Sequence, residues 1–175
     1  MSNNYKSYIM PTYGERNLEF KQGIGSYLIS KDNKKFLDFG SGIAVNSLGH
    51  CHPKLVKILQ DQTSQLWHTS NLYYNSSQEE YARILCQNSF AQKIFFTNSG
   101  TEAIEAGLKV VRSFHYHHKN VNKKKIITFQ GAFHGRTLGS LSAQKNIKYS
   151  KVFKPLIPGF VKTPFNDFEN LKRIV

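Results

Sequence analysis

The sequence predicts an α/β fold built on a mostly parallel sheet, and three passages of the chain carry that prediction. In the first, an apolar run, Ile94-Phe95-Phe96, enters a tight turn at Asn98-Ser99-Gly100-Thr101-Glu102-Ala103, and an amphipathic stretch from Ala103 to about Phe114 leaves it. In the second, the β-branched run Ile126-Ile127-Thr128-Phe129 follows that helix and ends in Gln130-Gly131-Ala132-Phe133-His134-Gly135-Arg136-Thr137. In the third, the Pro- and Gly-punctuated apolar stretch between Val152 and Val161 reads as one more strand with its approach. Strands separated by helices are joined by crossovers and lie parallel, and in such sheets ligands collect beyond the carboxyl ends of the strands.

Ahead of these passages, Ser26-Tyr27-Leu28-Ile29-Ser30 alternates toward a turn at Lys31-Asp32-Asn33-Lys34, and Phe36-Leu37-Asp38-Phe39 follows, which predicts a hairpin. The small residues from Gly40 to Asn46 predict a loop. Pro53 suits the first position of a helix, and Leu55, Val56, Leu59, Gln62 and Leu66 place a mostly apolar stripe along it. Trp67–Tyr74 has a composition that fits a binding loop and a plain linker equally well. Ser77-Gln78-Glu79-Glu80 has the spacing of a capping box and predicts the start of another helix. Along the central helix, Ala103, Gly107, Val110 and Phe114 predict the buried face. Pro164–Asp167 reads as a turn into a final helix.

Ser99 and Glu102 also have the Ser-x-x-Glu spacing of a capping box, so the serine oxygen takes the Glu102 amide, the Glu102 carboxylate reaches back to the Ser99 amide, and the amides of Gly100 and Thr101 are left over. Two spare N–H groups at the positive end of a helix dipole, beside a glycine, can hold a phosphate. Spacing alone does not separate that site from an ordinary capped helix. Phe133 and Arg136, on the loop after the next strand, suit a planar anionic ligand: an aromatic covers a ring face and a guanidinium grips a carboxylate with two parallel bonds. Core packing and a surface ion pair are the plain alternatives for these two side chains.

With 175 residues, 39% of them hydrophobic, and with 13 Phe and 9 Tyr, the chain has the make-up of a globular domain and not of a disordered one. Its net charge of +13 raises the question of a nucleic-acid-binding module. The lysines are scattered from Lys6 to Lys172, with one short run at Lys123-Lys124-Lys125 beside the His115–Lys119 segment. That favours a solvated loop, and a surface that attracts anionic substrates and cofactors over one that binds nucleic acid. His50 and His52, two apart with no further ligand, are expected to pack or hydrogen-bond; no metal site is expected. Cys51 and Cys86 make no disulfide framework, which fits a reduced, cytoplasmic setting. The start of the chain lacks an apolar signal core and no stretch has the length of a membrane span, so export and a membrane partner are not expected.

The order of Leu37-Asp38-Phe39, Ser41–Val45, Leu48-Gly49-His50-Cys51-His52-Pro53, Leu66–Tyr73, Asn98–Ala103 and Phe133–Leu138 resembles the class III, pyridoxal-phosphate-dependent aminotransferases, and among them the acetylornithine branch. The resemblance covers essentially the whole chain. It implies the fold type I of the pyridoxal-phosphate-dependent transferases, with residues 1–50 an N-terminal segment and hairpin of the small domain and 51–175 the first part of the large, cofactor-binding domain. It implies pyridoxal 5'-phosphate as cofactor, its phosphate on Ser99, Gly100 and Thr101, with Phe133 and His134 also binding it and Arg136 holding the substrate's α-carboxylate. The loop Gly42–Val45 would lie near the substrate entrance. The implied reaction moves an amino group from N-acetylornithine to 2-oxoglutarate in arginine biosynthesis, in a homodimer; ornithine, succinyldiaminopimelate and 4-aminobutyrate are alternative donors. Ile104 departs from the asparagine that many members carry there. No catalytic residue is assigned, because the family's Schiff-base lysine context is not met among these residues. The chain is therefore expected to be the amino-terminal part of a longer enzyme, inactive in transamination by itself and showing an apolar edge.

Overall fold

Phe20–Leu37 folds as an antiparallel meander because two short turns reverse an alternating chain. The computed structural model describes residues 8–120, 122–144 and 151–175 and divides after Ser76 into two units. In the first unit, β1 (Phe20–Ile24), β2 (Tyr27–Ser30) and β3 (Lys35–Leu37) form a three-stranded sheet in the order β1-β2-β3. Tyr27 pairs with Leu37 and Leu28 with Phe36 across the expected hairpin; β1 adds to the other edge of β2, with Ile24 opposite Tyr27 and a bulge between Phe20 and Gln22. Phe20 and Phe36 meet edge to face, ring centroids 5.6 Å apart. The turn falls at Lys31–Lys34 as the sequence predicts. The Lys34 amide donates to Ser30 Oγ at 3.0 Å and the Asn33 amide to the Ser30 carbonyl at 3.0 Å, with Asn33 at φ 66°.

The stretch expected as a plain loop contains a single turn, α1 (Ser41–Ala44), wound left-handed: φ is 50° at Ser41, 64° at Gly42, 64° at Ile43 and 61° at Ala44. Left-handed backbone costs about 1–2 kcal/mol for each residue with a side chain, so neighbouring contacts have to hold the turn. Asp38 does so. Its Oδ1 accepts from the Ser41 amide at 2.9 Å and its Oδ2 lies 2.7 Å from His50 Nε2, while Ser41 Oγ donates to the Asn46 carbonyl at 3.1 Å. His50 is thus a hydrogen-bonding residue, as expected. The turn carries Ile43 out into solvent, 94% exposed. Helix α2 (Pro53–Thr63) begins at the predicted proline.

In the second unit, α3 (Ser76–Gln87) starts one residue before the predicted serine, so Ser77 lies inside the helix and Glu80 does not complete a capping box. Its carboxylate takes a two-bond grip from Arg83, at 2.8 and 2.6 Å. Helix α4 (Gly100–His117), strand β4 (Ile126–Phe129), helix α5 (Leu138–Ala143), strand β5 (Phe160–Thr163) and helix α6 (Phe168–Ile174) follow. β4 and β5 pair in parallel, Ile126 opposite Phe160 and Phe129 opposite Thr163, which is the parallel element of the predicted fold. Asp167 caps α6 by accepting from the Asn170 amide at 2.9 Å, and Asn170 Nδ2 donates to the buried Thr163 hydroxyl at 2.7 Å, seating that helix beside β5.

Two expectations are corrected here. Ile94–Phe96 forms no strand: it has no ladder partner among the described residues, and Phe96 stacks on Tyr81 of α3 at 5.8 Å instead. The covered face of α4 is not Ala103, Gly107, Val110 and Phe114 but Thr101, Ile104, Glu105, Leu108 and His115. Polar side chains share that face with apolar ones, because α5, the most buried element, meets α4 through hydroxyls bonded to Thr101 and Glu105. Leu141 and Ala143 are the buried apolar side chains among the described residues, whereas Phe39, Trp67, Phe95 and Phe165 stand in solvent.

The ion pairs of the first unit set its acid response. The Ser30 hydroxyl and the Lys34 ammonium hold the Asp32 carboxyl down to about 2, and the His50 imidazole with the Ser41 amide holds Asp38 below the usual carboxylate range. Depressed carboxylates stabilise the fold fully above their unfolded values, near 3.9, and lose that contribution as pH falls through the folded ones. The urea midpoint of the first unit should fall between about pH 4 and 2, and Asp32→Asn with Asp38→Asn should flatten that fall. An equal fall in the double variant places the acid sensitivity elsewhere.

Candidate functional site

The site is built from the N-terminus of α4 and the loop between β4 and α5. Ser99 sits in extended backbone (φ −151°, ψ 159°), the conformation of an N-cap, and its Oγ accepts from the Glu102 amide at 3.3 Å. The Ala103 amide bonds the Ser99 carbonyl at 3.1 Å, so the amides of Gly100 and Thr101 are the ones the helix leaves over. A Cβ added to Gly100 would meet nothing within 4 Å: the backbone there is open to an approaching group. Thr101 is different. Its hydroxyl lies 2.9 Å from Ser140 Oγ and 3.3 Å from Thr137 Oγ1, so the amide is what it offers to a ligand.

The second half of the site is brought to the first by Gly135. Its φ is 129°, and an added Cβ would stand 2.2 Å from Thr101 Oγ1 and 2.8 Å from Ser140 Oγ. Only a residue without a side chain lets the loop backbone close on Thr101 at that distance. Gly135 stands between His134 and Arg136, so this contact puts the predicted loop beside the predicted cradle. Glu105 fastens it. The Thr137 hydroxyl donates to Glu105 Oε1, the Ser140 amide donates to the same oxygen at 3.2 Å, and Gly139 leaves room for the carboxylate, which an added Cβ would crowd. Gln144 Nε2 donates to the Gly135 carbonyl from the other side. Ser140 is wholly buried and Gln144 nearly so.

The loop side chains differ in environment. Phe133 is 70% exposed, and the Arg136 guanidinium carbon stands 5.6 Å from its ring centroid, so the aromatic and the cation touch each other on the surface. His134 is half-buried, and its Nε2 is covered without a partner among the described residues. Two spare amides, an accessible backbone at Gly100, an exposed ring and an adjacent guanidinium make a donor set that fits a planar ligand carrying a phosphate, with a second carboxylate nearby.

Sequence reasoning found the Ser99 cap and singled out the loop that the structure places beside it. It missed Glu105, Thr137 and Ser140, which join them; the available signal was the small pair Gly139-Ser140, which admits a carboxylate from another helix.

The family described as Aminotransferase class-III matches residues 9–174. An acetylornithine aminotransferase of Clostridium acetobutylicum is 49% identical over 168 residues, covering 96% of this chain and 43% of that protein. Acetylornithine aminotransferase 1 of Bradyrhizobium diazoefficiens is 44% identical over 175 residues, again covering 43% of that protein. The chain thus spans less than half the length of these curated relatives. Among solved structures, the ornithine aminotransferase of Toxoplasma gondii superposes with a TM-score of 0.89 at 25% identity, covering 95% of this chain and 40% of that one. The N-acetylornithine aminotransferase of Stenotrophomonas maltophilia gives 0.74 at 31% identity, over 92% of this chain and 39% of that one. The Toxoplasma enzyme is also described with partial occupancy of PLP at its active site.

Two glycines separate close approach from open space. Gly135→Ala should destabilise the second unit by about 1–3 kcal/mol through positive φ and the clash with Thr101. Gly107→Ala, inside α4 with nothing within 4 Å, should stabilise it by about 0.5–1 kcal/mol. Denaturant melts of both variants check the pair of signs.

Proposed function

We propose that this chain, which belongs to the class-III aminotransferase family, supplies the phosphate cradle, the ring-covering aromatic and the carboxylate clamp of a pyridoxal-phosphate-dependent transaminase. Its amino donor in this reading is N-acetylornithine and its acceptor 2-oxoglutarate, in arginine biosynthesis. The observation that carries the reading is the Gly135–Thr101 approach, which brings Phe133 and Arg136 to the helix end with the spare amides.

The division of labour follows from the donors. The amides of Gly100 and Thr101, at the positive end of an 18-residue helix, hold the cofactor's phosphate. Gly100 keeps that approach open. Phe133 would cover a face of the pyridine ring, and His134 beside it would also bind the cofactor. Arg136 orients whichever substrate is bound by its α-carboxylate, the group that donor and acceptor share. Pyridoxal phosphate, when bound, supplies the electron sink and carries the amino group between the two substrates. Residues 1–50 contribute to the small domain and 51–175 to the large one. A homodimer and a cytoplasmic setting complete the reading, supported by the resemblance and by the free thiols of Cys51 and Cys86. Among the described residues no helix is long and apolar enough to cross a membrane.

One observation favours a second donor. The superposition on the Toxoplasma ornithine aminotransferase is closer than that on the Stenotrophomonas acetylornithine enzyme, although the 49% sequence identity is to an acetylornithine enzyme. Comparing kcat/KM for N-acetylornithine and ornithine, in the full-length protein that carries this chain, decides between them.

Two variants of that protein test the site. Gly100→Val should raise the Kd for pyridoxal phosphate at least about tenfold by crowding the phosphate and leave the unfolding midpoint unchanged; equal losses in both would leave α4 as a capped helix only. Arg136→Ala should cost about 1.5–3 kcal/mol in kcat/KM for donor and acceptor alike, with cofactor affinity retained. Unchanged Michaelis constants for both substrates would make Arg136 a surface residue.

A further inference from the structure

The other end of α4 holds a cavity that the proposed function does not use. It has a volume of about 710 Å³ and is lined by Arg112, His115 and Tyr116 of the helix, Asn120, Lys123 and Lys124 of the following loop, and Ile157–Gly159. Arg112 stands twelve residues along the helix from Gly100, about 18 Å at 1.5 Å per residue. The volume is in the range of small-molecule sites, about 300–1,000 Å³.

The ordinary reason for cations at a helix C-terminus is that they satisfy its last carbonyls and its negative pole. Here three of the last carbonyls, those of Phe114, His115 and Tyr116, are already satisfied. Asn120 N donates to the His115 carbonyl at 2.8 Å and Lys119 N to the Tyr116 carbonyl at 3.1 Å, with Lys119 at φ 58°. This is the pair of bonds of a Schellman motif, with a lysine in the left-handed position. The Phe114 carbonyl is taken by the His118 amide at 3.0 Å and by His118 Nδ1 at 2.8 Å. None of the capping falls to Arg112, Lys123 or Lys124. Among the described residues none of these three has a carboxylate partner, and no acidic residue lines the cavity. Arg112 makes one long bond, 3.4 Å, to the Pro158 carbonyl. His115 Nδ1 is covered and without a partner. Three unpaired cations and an unsatisfied imidazole nitrogen share the cavity with the apolar surfaces of Tyr116, Ile157 and Pro158.

We infer that this cavity binds a small organic anion, its phosphate or carboxylate head among Arg112, Lys123 and Lys124 and its apolar or aromatic body on Tyr116, Ile157 and Pro158. Binding releases no group and makes no covalent bond. The cavity is a second site, separate from the one at Ser99–Thr101.

The test is titration of the full chain with phenyl phosphate, benzoate and inorganic phosphate, followed by calorimetry and by amide chemical shifts. At least one aromatic anion should bind saturably and about tenfold or more tightly than inorganic phosphate, with the shifts centred on Arg112–Lys124 and Ile157–Gly159. A preference for phenyl phosphate assigns a phosphoester head, and a preference for benzoate a carboxylate head. Lys123→Gln/Lys124→Gln should weaken binding about tenfold. Lys109→Gln/Lys172→Gln, the same change in charge outside the lining, should alter it less than twofold; circular dichroism confirms that all remain folded. Four outcomes overturn the inference: no saturable binding, inorganic phosphate binding as tightly as the aromatic anions, equal effects of the two lysine pairs, or loss of binding in Gly100→Val but not in Lys123→Gln/Lys124→Gln. The last would place the ligand at the cradle and leave the proposed function standing.

Discussion

Glu105 is the carboxylate on which the second unit turns. One of its oxygens accepts from the Thr137 hydroxyl and the Ser140 amide, and through Ser140 the arrangement reaches Thr101. A carboxylate taken from water needs such partners, and once it has them the groups it joins cannot separate without leaving it unpaired. Glu105 therefore fastens α5 to α4 and requires a glycine at 139, while Thr101 and Ser140 require one at 135, and together these contacts bring the loop carrying Phe133 and Arg136 to the start of α4. The site is a consequence of that polar contact more than of apolar burial, since Leu141 and Ala143 are the only buried apolar side chains among the described residues.

The first unit solves a similar problem on a smaller scale. Asp38 holds a left-handed turn by one oxygen and His50 by the other. In both units one carboxylate joins groups that are apart in the chain, and in the first it also compensates a left-handed backbone. The chain has 11 acidic residues against 24 Lys and Arg, so carboxylates are scarce and each one that is bound inward is committed. The scarcity has an electrostatic corollary at the far end of α4. Among the described residues, Arg112, Lys123 and Lys124 have no carboxylate partner, and they stand around a cavity with no acid in its lining. In these proposals, a basic net charge resolves into donor sets at both ends of one helix: amides and a dipole at its start, side-chain cations at its finish.

Much of the site was legible in the residues because its parts are local. The cap at Ser99, the spare amides that follow from helix geometry, and the turn at Lys31–Lys34 each depend on residues within four positions of one another, and all are found, although the Glu102 carboxylate makes no return bond to the Ser99 amide among the described residues. Pro53 opens its helix for the same reason. Where the reading failed, a partner distant in the chain was decisive. Ile94–Phe96 has the composition of a strand, but a strand exists only through the ladder that pairs with it, and among the described residues none does. On α4 the apolar stripe at Ala103, Gly107, Val110 and Phe114 is exposed, and a face carrying Thr101 and Glu105 is covered instead.

By itself, then, the sequence determined the elements whose signals are short-range, the parallel character of the β4–β5 pair that a helical crossover enforces, and, through several ordered motifs taken together, the family. Tertiary structure alone decided which face of α4 is inward, that the Thr101 hydroxyl is spent on Ser140 and Thr137, and that Glu105 ties the two halves of the site together. The reason is physical. Capping and turn formation are satisfied within a few residues, so their energies are readable from spacing, whereas hydrogen bonds between residues 32 to 39 positions apart are possible only after the chain has brought them together.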